Sequence, residues 1–170
     1  LEDFAGLPSI GKLSEVKLLA PCRPTKVVCA AINFHGAKDW EAGMTEPLVF
    51  LKAPSSVANP DEDIVSPITD MGVWGEAELT IVIGRRTSHA SMEEARRAIF
   101  GYTIGNDVSC DNTGTRDHHL ARSKAADNFC PLGPYIDTEY DFVNKEIKAI
   151  HNDRVVRLGN TNDFFWDPIT

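Results

Sequence analysis

The chain has 170 residues, 42% of them hydrophobic and 25% charged, the balance of an ordinary globular protein with length for one domain and a real core. Its formal net charge of −8 argues against nucleic acid or an anionic membrane as main partner, because both favour concentrated positive charge. The same acidity suits a chain that collects carboxylates around a cation, and equally a chain with a solvated acidic surface.

Residues 1–20 mix polar and apolar positions and are read as a small appendage or helix, with one domain following over 21–170. No apolar run is long enough to span a bilayer, and the first residues lack the shape of a signal peptide. Cys22, Cys29, Cys110 and Cys130 show no C-x-x-C spacing and are read as reduced, mostly buried thiols. The expected compartment is the cytosol, with mitochondria and peroxisomes also compatible.

The prolines of "APCRPTK" break regular structure ahead of a first strand over Lys26–Asn33, and "PLVFLK" (Pro47–Lys52) is predicted as a second. Between them "HGAKDWEAGM" is helix-like or irregular. After the turn-rich "APSSVANPDED", the segment "DIVSPI" is predicted as a short strand that Pro67 ends or keeps at an edge. "EAELTIVIG" is the strongest strand signal, stopped by Gly84. "SMEEARRAIFGY" carries Ser91 as N-cap and Glu94 three residues on, a capping box that predicts a short helix. "YTIGNDVS" and "LGPYID" are read as strands, and "IKAIHNDRVVRLG" as a hairpin turning at Asn152-Asp153. Many short strands with one clear helix predict a strand-rich mixed α+β fold and not regular βαβ alternation.

Side chains alternate faces along a strand, so Glu76 and Glu78 project together. Two carboxylates held that close repel unless a cation or a proton lies between them, and hard cations favour several oxygen ligands. Asp107, at the end of the next strand, and Asp111 nearby are candidates for a third carboxylate. An edge strand with two solvated glutamates explains the spacing as well.

The segments "RPTKVVCAAINF", "EPLVFLKAPSSV", "GEAELTIVIGRR", "IFGYTIGNDVS", "RSKAADNFCPLGPYI" and "NDRVVRLGNTND" occur in the order and spacing of the fumarylacetoacetate hydrolase family. The chain resembles its single-domain members, which include acylpyruvate hydrolases, oxaloacetate decarboxylases and isomerases. That resemblance implies a rolled mixed β-sheet, a homodimer, and a divalent cation (Mg²⁺, or Mn²⁺ or Ca²⁺) held by Glu76, Glu78 and Asp107. It also implies that Lys124 contacts the carboxylate or keto oxygen of a small keto-acid substrate. Stabilising an enolate in this way is shared by C–C hydrolysis, decarboxylation and keto–enol isomerisation, so the family leaves the particular reaction open.

Three departures bear on that expectation. The His and Glu of the hydrolytic members fall on Ala37 and Trp40, leaving His35 with Asp39 at i, i+4, or Glu41, as displaced catalytic candidates. The family arginine and glutamine after the aspartate fall on Asp111 and Gly114. Asp111, His119 and Arg122 are therefore the candidates for substrate binding, beside Lys124. Finally, the resemblance implies further strands after "FFWDPIT", so the sequence reads as a fragment, a cleaved form or a chain completed by a partner. The leading expectation is a metal-dependent C–C hydrolase or decarboxylase. Its alternatives are an isomerase or tautomerase, and an impaired homologue serving as a binding or structural subunit.

Overall fold

The computed structural model describes residues 6–36, 45–67, 72–111 and 117–169. Two hairpins flank a central sheet. The first pairs β1 (Val27–Ala31) with β2 (Leu48–Lys52), antiparallel, with Val27 opposite Lys52 and Ala31 opposite Leu48. The second pairs β9 (Glu146–His151) with β10 (Arg154–Asn160). Its turn falls at Asn152 and Asp153, both left-handed (φ 49° and 60°), the conformation that a two-residue hairpin loop demands and that Asn and Asp tolerate.

The central sheet runs β3–β8–β6–β5, with β3 at Val57–Ala58, β5 at Ala77–Ile83, β6 at Ile99–Asn106 and β8 at Cys130–Asp137. β5 and β6 are antiparallel neighbours, joined through α1 (Met92–Ala98), whereas β3 lies parallel to β8. The sheet is therefore mixed. Ser91 caps α1 as expected, accepting from Glu94 N–H while the Glu94 carboxylate accepts from Ser91 N–H. Two further short elements close the end of the sheet: β4 (Val73–Trp74) pairs with β7 (Ser109–Cys110), and α2 (Ala121–Lys124) follows.

Some local expectations fail. Residues 62–67 form no strand; Ile64 and Val65 are exposed and have no partner strand to reward an extended pairing. Of the described part of the first twenty residues, only Leu13–Glu15 is regular, as a single 3₁₀ turn. The four cysteines are free, with Cys110 and Cys130 buried and Cys22 and Cys29 half-buried. No helix is long and apolar enough to cross a membrane among the described residues.

The closed core is small and lies beside the end of the sheet: Val108, Cys110 and Phe129, with Ala126 packed against them. One face of the first hairpin is apolar and open, since Val28, Val49 and Leu51 are all exposed. Its other face carries Cys29, Phe50 and Lys52 inward, and that inward face covers the candidate site.

Candidate metal centre

Antiparallel pairing of β5 with β6 decides where the carboxylates meet. Ala77 lies opposite Asn106, so the residues just outside that pair, Glu76 and Asp107, are brought together at one end of the sheet. The Asp107 N–H donates to the Glu76 carbonyl at 2.9 Å, extending the ladder by one bond. The Glu76 N–H donates to Asn106 Oδ1 at 3.0 Å. A Cβ on Gly75 would lie 2.8 Å from that same Asn106 oxygen, so a side chain here would push away the amide that Glu76 N–H uses. Glu78 sits opposite Gly105, whose missing side chain leaves room for Thr80, since a Cβ there would lie 2.3 Å from Thr80 Oγ1.

Two lysines meet these carboxylates from different elements. Lys124, at the end of α2, donates to Glu76 Oε2 at 3.0 Å and to Asp107 Oδ2 at 2.7 Å, with its ammonium 5.1 Å from the centre of the Phe50 ring. Asp117 holds α2 in place, accepting from the Ser123 N–H and hydroxyl, both at 2.8 Å. Lys52 reaches Asp107 from β2: its ammonium pairs with Oδ1 and donates to the Val108 carbonyl at 3.0 Å. Trp74 Nε1 and Ser109 Oγ both donate to Glu76 Oε1, at 2.7 and 3.2 Å.

The protonation pattern follows from these contacts. Burial pushes the Glu76 carboxyl up, but hydrogen bonds from Lys124 and Trp74 outweigh it and hold the group below its usual range. Lys124 shows the mirror image: burial lowers it, and Asp107 and Glu76 together raise it above the ordinary lysine value. Glu78 is left with the repulsion. Burial, then Asp107 and Glu76, lift its carboxyl to about 7 against the pull of Lys124. The Cys29 thiol is pushed to about 12, chiefly by burial and then by Asp107.

The donor set fits a hard divalent cation in chemistry: Glu76 and Asp107 share one lysine ammonium, Glu78 is near enough for their charges to raise its carboxyl, and every donor is oxygen. Among the described residues, however, no three His, Cys, Asp or Glu side chains are gathered as a ready cage. A cation between Glu76 and Asp107 requires Lys124 to swing aside.

The other sequence candidates that the structure describes make different contacts. His35 donates its N–H to the Asp163 carbonyl at 2.8 Å, and its ring packs edge-on against Phe165 at 5.1 Å. Asp39 and Glu41 lie outside the described residues. Asp111 is exposed, and its carboxylate accepts from the Gly72 N–H at 3.0 Å. His119 and Arg122 are exposed, Arg122 on the same short helix as Lys124. Lys52, Trp74 and Ser109 were not singled out by the sequence. For Lys52 a signal existed: strand alternation sets it on the face of Phe50, an inward position where a lysine needs a counter-charge.

The fumarylacetoacetate (FAA) hydrolase C-terminal model matches residues 26–170, and the chain belongs to that family. It is 36% identical to the human (Homo sapiens) oxaloacetate tautomerase FAHD2A, mitochondrial, over 95% of this chain and 54% of that protein. Its fold is similar to that of a 5-carboxymethyl-2-hydroxymuconate delta-isomerase from Mycobacterium smegmatis, with TM-score 0.79 and 35% identity over 89% of this chain and 61% of that one. It is also similar to a maleylpyruvate hydrolase from Sphingobium sp. SYK-6 in complex with manganese (II) ion and pyruvate. That likeness has TM-score 0.68 and 27% identity, over 86% of this chain and 52% of the other. The chain thus spans little more than half of these relatives. They act on small keto or enol acids, as isomerase, tautomerase and hydrolase.

Proposed function

We propose that this chain carries the divalent-cation centre of an enzyme that makes and breaks the enol form of a small keto acid, leading to C–C bond hydrolysis or decarboxylation. The observation that carries the reading is Lys124 bridging Glu76 and Asp107 at one end of the β5–β6 pair, with the Glu78 carboxyl raised by burial and by the charges of Asp107 and Glu76. Glu76, Glu78 and Asp107 would hold Mn²⁺ or Mg²⁺, which supplies a Lewis acid for the keto oxygen. The manganese and pyruvate bound to the maleylpyruvate hydrolase support that choice.

This chain's own residues then have distinct tasks. Lys124, displaced from Glu76 and Asp107, keeps a cation within reach of the substrate carboxylate or of the oxyanion formed on the keto oxygen. The Phe50 ring beneath Lys124 shields one side of that path from water. Trp74 and Ser109 fix Glu76 by Oε1, so that Oε2 is the oxygen freed when Lys124 leaves. Glu78 would be held as a carboxylate by a bound cation, which would compensate the neighbouring charges that raise its carboxyl.

Tautomerisation is the second reading, favoured by the 36% identity to the human oxaloacetate tautomerase. An assay of the protein on oxaloacetate and on an acylpyruvate, with Mn²⁺ and with EDTA, separates the readings. Cleavage or carbon dioxide release with Mn²⁺ and none with EDTA is the expected result. Enol–keto interconversion alone selects the second reading. No turnover of either acid by protein with Mn²⁺ bound overturns both and leaves an impaired homologue with a binding or structural role.

A further inference from the structure

We propose that Lys52 is a positioning residue of this centre, holding Asp107 by Oδ1 so that Oδ2 alone faces the cation. The inference rests on the cation reading above. Lys52 has a side-chain exposure of 0%, and its ammonium has two partners, Asp107 Oδ1 and the Val108 carbonyl. It is fixed at its base, since β2 pairs along its length with β1 and places Lys52 opposite Val27. Asp107 meets a second ammonium through its other oxygen, 2.7 Å from Lys124 Nζ.

The two lysines differ in what would release them. Lys124 retains 13% exposure and hangs from a short helix, so a cation at its position has somewhere to send it. Lys52 has no water-filled side to turn toward, and moving its charge away would strand it in a buried site. Oδ1 is therefore withheld while Oδ2 is offered. A carboxylate free at both oxygens can clamp a cation with either or both. One held by a buried ammonium is confined to a single oxygen in a fixed direction, and the coordination left over stays open for substrate.

Infrared difference spectra of the protein labelled with ¹³C-carboxylate aspartate, taken with and without Mn²⁺, read this arrangement directly. In the wild type the aspartate band that responds to Mn²⁺ should show the wide separation of antisymmetric and symmetric stretches of a one-oxygen ligand. In Lys52→Met that separation should narrow as Oδ1 is freed, with a cooperative melting curve retained. A narrow, two-oxygen separation in the wild type overturns the proposal, as does a folded Lys52→Met with an unchanged spectrum. Should Lys52→Met not fold, the wild-type spectrum decides by itself. Mn²⁺ binding with no aspartate response sinks the role of Lys52, whereas absence of Mn²⁺ binding sinks the cation reading and this inference with it.

Discussion

Asp107→Asn will cost the protein about 3–5 kcal/mol of stability, the toll of leaving a buried charge without its partner. The variant strands Lys52, which is fully buried and keeps only the Val108 carbonyl, and it also strips Lys124 of its shorter hydrogen bond. Lys52→Met is the milder change, because Asp107 then retains Lys124 and methionine fills the channel with an apolar stem. For a domain near this size each kcal/mol moves the melting point by roughly 2–4 °C, so urea or thermal unfolding resolves the two variants readily. An Asp107→Asn variant within about 1 kcal/mol of wild type would mean that Lys52 is not held by charge. Melting Lys52→Met well below Asp107→Asn would carry the same message.

The second large effect changes sign with the ligand. Glu78→Gln should stabilise the metal-free protein at pH 8 by on the order of 2 kcal/mol and do little at pH 4. Burial and the neighbouring Asp107 and Glu76 lift the Glu78 carboxyl to about 7, above its value in an unfolded chain. The folded state therefore binds the extra proton. Its contribution is fully present below about pH 4.3 and is lost as pH rises to about 7. Glutamine removes the charge that causes the loss. With Mn²⁺ added at pH 8 the order should reverse, since wild type gains stability by binding and Glu78→Gln gains little. Melting curves at the two pH values, with EDTA or with Mn²⁺, check both halves. A wild type whose advantage or deficit against Glu78→Gln is the same at pH 4 and pH 8 would remove Glu78 from the carboxylate group.

The elements that sequence reasoning placed well are those with local causes. The run over Ala77–Ile83, the Ser91–Glu94 capping box and the Asn152–Asp153 turn each carry their signal within a few residues. "DIVSPI" carried the same kind of local signal, yet no strand forms at 62–67, because strand propensity without a neighbouring edge has nothing to pair with. Spacing alone put Glu76 and Glu78 on one face, and the family register added Asp107 and Lys124. What no spacing could supply was the register of β5 against β6, which brings Glu76 to Asp107, and the reach of Lys52 across 55 residues of chain. Ser109 escaped notice for the same reason, since it reaches Glu76 across 33 residues of chain; Trp74, two residues from Glu76, carried a local signal that went unused. His35 had a plausible spacing to Asp39, but its described contacts run to Asp163 and Phe165.

The central claim is that Glu76, Glu78 and Asp107 form one cation site, and Mn²⁺ binding followed by electron paramagnetic resonance tests it most directly. The wild type should take up one Mn²⁺ per chain, and Glu76→Ala, with its fold intact by circular dichroism, should bind it far more weakly. Mn²⁺ binding that survives Glu76→Ala unchanged would contradict the account.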